Sequence, residues 1–426
     1  MLETKEKIKT ATWSLAEQGI VSLGSFVLNI QLARSLPVSE YGVFALVFSY
    51  VFLFQHCAVS LLFFPMCQRI AACPSAPEAP LVSVTMALCA AVNLVASLLL
   101  AGVLVLAGRS DLAAAALIFS LFWQMQDVLR RCLVAASRYR AAITGNAVTY
   151  VGQTAAVAVL MHNGMVTLVE TLCWLAMTSA AGCLINLWHL RLPAPVFEGV
   201  PGLLRTYWRT GLWGMLGGLL MVLRVQIFPW SLGLLHGTAA TAALQAVLNI
   251  GNLTNPLLFA LCNTISLKGM QARSAHGNLP AWQSSRFYML IGAPFIIAYC
   301  ALVFAAPTPV LSLFYGSQSP FLADTLVVRI IMLSIALNYV ADTTSAYLYG
   351  VDGGRMSTHI AFIGLAGAAV ASVLVWPWAL SGAAVAMLAA NLLRLAGSYH
   401  YVGATLATTT PLELPHSDAR EARRDA

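Results

Sequence analysis

Long apolar stretches separated by short polar breaks run along this chain from residue 11 to residue 402. A helix that crosses a hydrocarbon core of about 30 Å needs roughly 20 apolar residues, and most of the stretches reach that length. Of the 426 residues, 59% are hydrophobic and 9% are charged, whereas a soluble domain carries about 25% charged residues. No segment shows the alternation of about ten residues that is typical of an outer-membrane barrel. The sequence therefore predicts an all-α polytopic membrane protein.

The apolar stretches predict about twelve transmembrane helices. The last two are divided at the Trp376-Pro377-Trp378 step. The predicted spans are 11–34, 41–65, 81–107, 111–136, 141–161, 166–190, 207–233, 238–265, 286–306, 323–349, 357–376 and 378–402.

Basic residues test this arrangement, because cytoplasmic loops of membrane proteins carry an excess of Lys and Arg. With a cytoplasmic N-terminus, about 19 of the 23 basic residues lie on or near the inner face. The exceptions are Arg34, Arg109, Arg224 and Arg329. Residues 1–10 are charged, but no small-residue cleavage site follows at a suitable distance, so we expect no cleavable signal. The sequence predicts an inner (plasma) membrane protein with both termini in the cytoplasm.

Composition divides the chain near its middle. Residues 191–206 are rich in proline and glycine and are predicted to form a cytoplasmic linker. They separate an N-terminal six-helix lobe (1–190) from a C-terminal six-helix lobe (207–402), and residues 403–426 read as a disordered cytoplasmic tail. Because six is even, both lobes start on the same side and can be related by an axis along the membrane normal.

Arg224 lies inside an otherwise apolar stretch, Leu216–Trp230. A guanidinium in hydrocarbon is costly, and it persists mainly where it faces a water-filled cavity or meets an anion. Alternatively, Arg224 extends to the outer interface or pairs with a carbonyl. We interpret it as a substrate-binding residue, which indicates a carrier for an amphipathic and negatively charged molecule.

Other polar residues within the predicted spans are candidates for the same site. Glu17, Gln18 and Asn29 lie on the first span and could face the cavity, although Glu17 could instead lie among the inner headgroups. Asn252 belongs to a stripe of asparagines on the eighth span. Its amide could contact sugars, but such amides more often form hydrogen bonds between helices.

Two polar clusters are candidates for gating or ion coupling. Asp127 and Arg131 are four residues apart on the fourth span and share a face, and Arg130 is also within reach of Asp127. They form either a cytoplasmic gate or a self-neutralised interfacial cluster. The patch 342–345 begins with Asp342, which could join a cation site. Alternatively, the hydroxyls of the patch bond to their own helix.

The link between the first two spans contains the run Leu32-Ala33-Arg34-x-Leu36-Pro37-x-x-Glu40-Tyr41-Gly42-x-Phe44-Ala45-Leu46. This run resembles the first hairpin of the polysaccharide-biosynthesis, O-antigen-type flippases, whose superfamily also contains multidrug-and-toxin extruders and lipid II flippases. In this hairpin Ser39 is predicted to cap the second helix, with Glu40 in its first turn. The second lobe departs from the family pattern, because Gln226 is followed by Ile227 and Phe228 and not by an acid. Gln226 is retained as a candidate substrate-binding residue.

The resemblance implies a flippase that moves an undecaprenyl-diphosphate-linked oligosaccharide from the inner to the outer leaflet by alternating access. We expect membrane lipids, a polysaccharide polymerase and glycosyltransferases as partners, and no cofactor, metal or nucleic acid. A drug/cation antiporter of the same superfamily would need an acidic cavity. A membrane-embedded polymerase or ligase would need a substantial outer loop with catalytic groups, which this sequence does not show. A non-transporting scaffold remains open.

Overall fold

The computed structural model describes residues 2–72, 78–352 and 354–407, and the regular structure in these ranges is helical. Eight helices in the described ranges are long and apolar enough to cross a membrane. This confirms a multi-pass helical membrane protein. The predicted spans 11–34, 141–161 and 238–265 are also helical but are not among the eight. The eight are Val38–Ile70, Ala79–Leu106, Ser110–Ala135, Leu168–Leu190, Gly214–His236, Asn278–Ala305, Thr325–Val351 and Arg355–Ala407.

The first half of the chain contains eight α-helices. One π turn, Val59–Phe63, joins α2 to α3 and a second, Ala147–Val151, joins α6 to α7. Pro65 accounts for the first turn, because its nitrogen cannot donate to the carbonyl four residues earlier. The helices are α1 (Leu2–Ser35), α2 (Val38–Ala58), α3 (Phe64–Ala72), α4 (Glu78–Leu106), α5 (Ser110–Ala135), α6 (Tyr139–Asn146), α7 (Gly152–His162) and α8 (Leu168–Leu190).

The second half also contains eight. A 3-10 turn, Asn252–Thr254, joins α10 to α11 at Pro256, where the regular hydrogen-bond pattern is again interrupted. The helices are α9 (Val200–His236), α10 (Thr238–Gly251), α11 (Asn255–His276), α12 (Asn278–Ala305), α13 (Pro307–Tyr315), α14 (Thr325–Asp352), α15 (Arg355–Ala371) and α16 (Val375–Ala407).

Several helices extend beyond the apolar stretches that predicted them. α9 begins at Val200, so the predicted linker 191–206 is partly helical, and α16 runs into the predicted tail 403–426 as far as Ala407. Residues 408–426 lie outside the described residues. Hydropathy detects only the part of a helix that lies in hydrocarbon, whereas the helix itself continues into the aqueous layer.

The predicted division between the last two spans lies next to a sharp backbone break. Ala379 has φ 44° and ψ −120°, which is not helical, and the chain reverses there. A Cβ on Gly382 would lie 2.0 Å from the carbonyl oxygen of Leu374, so the two arms of this turn are in backbone contact. The Trp376-Pro377-Trp378 step therefore does mark the boundary, with the break placed just after it.

Buried apolar side chains join the two halves most extensively at one end of the bundle. The largest cluster draws on both halves, from Leu32 and Phe119 to Leu244 and Ile331. We call this end, where α1 meets α2, the closed end. Towards the opposite end, the open end, two smaller clusters lie apart, one mainly in the first half and one in the second. Contacts between the halves are mostly those of α2 with α9 and α10.

The hairpin between α1 and α2 forms part of the closed end. The predicted cap by Ser39 is wrong, because α2 begins at Val38 with Pro37 as its N-cap and without a side-chain capping bond. Since Pro37 already fixes the entry of the chain, Ser39 lies inside the first turn. Glu40 is in that first turn as predicted, and its carboxylate accepts two hydrogen bonds of 3.0 Å from Arg109.

The next two residues of the hairpin contact the second half directly. The Tyr41 hydroxyl accepts a hydrogen bond of 2.7 Å from the Asn249 side chain on α10. A Cβ on Gly42 would lie 1.8 Å from the carbonyl oxygen of Thr238, so only glycine lets α2 approach the start of α10 this closely. The residues of the predicted hairpin therefore hold the two halves together.

Candidate functional site

A cavity of about 1820 Å³ opens at the open end of the bundle. Its walls come from α9, α11, α12, α14, α15 and α16 of the second half, together with Gln68 of α3. Among the residues that the structure describes, four arginines and a single acidic side chain line it. These are Arg224, Arg273, Arg355, Arg394 and Asp342. The cavity is therefore strongly cationic.

The deep wall of the cavity holds a buried hydrogen-bond network between α9, α14 and α16. Arg224 donates to Asn391 at 2.7 Å and to Asn338 at 3.4 Å. Arg394 donates to the same Asn338 oxygen at 2.8 Å and forms an ion pair with Asp342. The Asn338 amide in turn donates to Asp342 at 2.7 Å. Two guanidinium groups thus share one amide oxygen on α14.

The two arginines differ in how their charges are balanced. Asp342 neutralises Arg394, but Arg224 is held by neutral amides. Arg224 is 7% exposed, so its charge is shielded poorly by water and acts strongly on any anion that enters. Gly364 of α15 makes room for both side chains, since a Cβ there would lie 2.9 Å from Cδ of Arg224 and 3.2 Å from Cδ of Arg394.

A second buried network lies in the first half, away from this cavity. Arg130 of α5 forms ion pairs of 2.6 Å with Glu17 of α1 and with Asp127, and Asp127 also pairs with Arg131 at 2.7 Å. The Asn146 side chain of α6 donates to Glu17 at 2.9 Å. In this network two arginines face two acids, so its charges balance. It ties α1, α5 and α6 together.

The structure places two of the predicted site residues, Arg224 and Asp342, in the cavity. The interpretation of Arg224 as a side chain that extends to the membrane interface does not fit, because its guanidinium reaches towards α14 and α16. Glu17 is 3% exposed and ion-paired, which does not fit a position among the headgroups. Asp127 and Arg131 belong to the first-half network and do not line the cavity.

The remaining predicted site residues are also outside the cavity lining. Gln18 and Asn29 bond within α1, to Ser22 Oγ at 3.3 Å and to the Ser25 carbonyl at 2.9 Å. The Asn252 side chain accepts a hydrogen bond of 3.1 Å from Asn255. Gln226 is partly buried on α9.

The sequence analysis did not identify three members of the deep network, Arg394, Asn338 and Asn391. Arg394 was counted with the basic residues at the inner face. The same signal that identified Arg224 was available, because Arg394 also interrupts an apolar helix, α16. The two asparagines carry no such signal, since amides in membrane helices most often join helices.

Comparisons with known proteins identify the fold. No family model matches the sequence, and no curated protein sequence matches it. An inward-facing MATE-family multidrug resistance transporter of the MOP superfamily aligns with a TM-score of 0.71 and 15% identity over 91% of this chain and 96% of that one. The lipid II flippase MurJ, in an inward closed conformation, aligns with a TM-score of 0.67 and 11% identity over 92% and 87%.

An outward-facing MATE transporter of the same superfamily aligns with a lower TM-score, 0.60, at 14% identity over 94% of this chain and 96% of that one. The chain is therefore more similar to the inward-facing arrangement, in agreement with a largest apolar cluster that joins the two halves at the closed end. At these identities the likeness concerns the fold alone, and the chain shares its fold with these MATE and MurJ structures.

Proposed function

We propose that this protein is a flippase for an undecaprenyl-diphosphate-linked oligosaccharide, which it moves from the inner to the outer leaflet of the inner membrane. The observation that carries the proposal is the excess of arginine over acid in the described lining of the cavity, where no described carboxylate forms an ion pair with Arg224 at the deep wall. A diphosphate supplies the missing anion, and guanidinium groups bind phosphate oxygens in a bidentate manner. An organic cation would be repelled by the same wall.

The proposed transport cycle follows from the two ends of the bundle. Twelve transmembrane helices form two six-helix lobes, each with its own buried network, with both termini and the open end in the cytoplasm. Basic residues cluster at the ends of helices that meet there, including Arg273 and Arg355. The diphosphate enters from the inner leaflet, binds Arg224, and leaves when the lobes close at the open end and part at the closed end. Glycosyltransferases would supply the substrate and a polymerase would receive it.

Arg394 and Asp342 extend the proposed binding site. Asp342 forms an ion pair with Arg394, while the described hydrogen-bond partners of Arg224 are the amides of Asn391 and Asn338. A diphosphate would bind Arg224 and then compete with Asp342 for Arg394. Asp342 in this way substitutes for the substrate when none is bound, which lowers the cost of keeping two buried arginines.

A flipping assay tests this function. The full chain is reconstituted in vesicles with a fluorescent undecaprenyl-diphosphate disaccharide, and the exposure of the label on the opposite leaflet is measured. We expect transport to fall in the order wild type, Arg224→Lys, Arg224→Ala. The lysine keeps a point charge but loses the bidentate geometry. Removing a hydrogen bond to a charged group costs about 1.5–3 kcal/mol, which is roughly a 10- to 150-fold loss.

The matched control is Arg329→Ala, which changes a half-buried arginine at the closed end whose side chain donates to the Phe304 carbonyl at 3.2 Å. It should transport as the wild type does. Full transport by a well-expressed Arg224→Ala protein, or transport of organic cations in place of the diphosphate, would contradict the proposal.

A further inference from the structure

A second, smaller cavity lies at the closed end, on the side of the bundle. This crevice has a volume of about 500 Å³ and lies between α1 and α7 of the first half and α13 of the second. Its size is within the roughly 300–1,000 Å³ that is typical of small-molecule sites. Its lining is apolar apart from two residues of α1, Gln31 and Arg34. The apolar members are Phe26, Val27, Ile30, Ala158, Met161 and Phe314.

Arg34 provides a free positive charge at the edge of the crevice. Its guanidinium donates to the main-chain carbonyls of Leu313 and Phe314 on α13. Among the described residues no acidic side chain forms an ion pair with it. Arg109, at the same end, is by contrast neutralised by Glu40 and Asp111. Carbonyl oxygens orient the Arg34 guanidinium without cancelling its charge.

The other groups of the crevice suit the apolar part of the same ligand. The rings of Phe26 and Phe314 meet edge to face with centroids 5.2 Å apart, and they form a floor that joins α1 to α13. The Gln31 amide donates to the Thr154 carbonyl at 3.2 Å, while its own oxygen is buried without a partner among the described residues. An exposed cation beside apolar walls indicates a ligand with an anionic head and a hydrocarbon chain.

We propose that this crevice binds one anionic phospholipid of the bilayer, with its phosphate on Arg34 and an acyl chain along Val27, Ile30 and Met161. Charge complementarity selects an anionic headgroup, because no acidic side chain among the described residues pairs with Arg34. In the orientation proposed above, the site lies in the outer leaflet. The lipid contacts α1 and α7 in one half and α13 in the other, so it stabilises the closed end. This site is separate from the cationic cavity.

Thermal unfolding of the detergent-purified full chain tests the proposal. Dioleoyl phosphatidylglycerol should raise the melting temperature more than dioleoyl phosphatidylcholine, which has the same chains but no net charge. Arg34→Gln should lose this difference and bind phosphatidylglycerol about 10- to 100-fold more weakly, as expected for the loss of one charged hydrogen-bond partner. Arg329→Gln is the matched control, because the Arg329 side chain also bonds to a main-chain carbonyl at the closed end but does not line the crevice. It should keep the full difference.

A second variant keeps the test valid if Arg34→Gln does not fold. Ala158→Trp leaves Arg34 in place and fills the crevice from α7, and it should also abolish the difference between the two lipids. Equal stabilisation of the wild type, Arg34→Gln and Ala158→Trp would overturn the proposal, and so would an equal loss in Arg329→Gln. If inorganic phosphate or undecaprenyl phosphate, and not phosphatidylglycerol, gives the Arg34-dependent shift, the occupant is not a bilayer phospholipid and the proposal is wrong.

Discussion

Replacing Asp342 with asparagine is expected to weaken the fold and at the same time to strengthen anion binding. Asp342 neutralises Arg394 and accepts a hydrogen bond of 2.7 Å from Asn338. Asparagine keeps the shape of the side chain and removes its charge, so that Arg224 and Arg394 are both left without a carboxylate. The two effects have opposite signs, which separates this prediction from a general loss of folding.

The structure allows a rough magnitude for each effect. Breaking a fully buried ion pair costs about 3–5 kcal/mol. The Asp342 side chain is 18% exposed and faces the cavity, so water screens part of its charge, and we expect about 1–3 kcal/mol. A unit charge about 5–6 Å from a bound phosphate contributes about 0.7–3 kcal/mol between the dielectric limits of water and a protein surface. Binding should therefore tighten about 3- to 150-fold.

Two measurements on the purified chain check this prediction. Farnesyl diphosphate serves as the ligand, with its Kd measured by calorimetry, and the melting temperature is measured with and without it. Asp342→Asn should melt below the wild type when empty and recover part of the difference when the diphosphate is bound. Asp111→Asn is the control, since Asp111 pairs with an arginine at the closed end, and its Kd should not change. Weaker diphosphate binding by Asp342→Asn would refute the account of this network.

Three further predictions concern the fold. Gly42→Ala should lower the melting temperature and the protein level, because a Cβ there meets a main-chain carbonyl of α10 at 1.8 Å. The control Gly102→Ala should change neither, because nothing lies within 4 Å of a Cβ at that position. Equal behaviour of the two variants would contradict the close approach. Glu17→Gln should lower the melting temperature by breaking the buried pair with α5, without a large change in the Kd for farnesyl diphosphate. A large change in that Kd would show that the first-half network takes part in binding. Cysteines at Val196 and Gln318 should be labelled from opposite sides of the membrane, and labelling from the same side would overturn the proposed orientation.

The sequence predicted the helices better than it predicted their contacts. The lengths of apolar stretches and the positions of charged residues depend on local composition, so the spans could be predicted. The ends of α9 and α16 were missed because they lie outside the hydrocarbon. Gly42 was identified from the sequence only as part of the hairpin between the first two spans. Its contact with Thr238 depends on which helix lies opposite, and no local pattern encodes that.

The candidate site, like the fold, could be predicted only in part. Arg224 was found because a lone cation in an apolar helix is costly wherever the helix packs. Its partners could not be found in this way, since Asn391 is 167 positions further along the chain. Arg394 was missed because the rule for basic residues assigns a side of the membrane and says nothing of burial. Glu17 and Arg130 are likewise 113 positions apart, and only the packing of α1 against the first half brings them together.

The central claim is that the cavity selects an anion, and the ligand preference of the wild-type protein tests it most directly. Calorimetry on the purified chain would compare farnesyl diphosphate with tetraphenylphosphonium, a lipophilic cation of the kind that a drug antiporter would bind. Four arginines and one aspartate line the described part of the cavity, so we predict saturable binding of the diphosphate, lost in Arg224→Gln and Arg394→Gln, and no binding of the cation. Saturable binding of tetraphenylphosphonium without binding of the diphosphate would contradict the account.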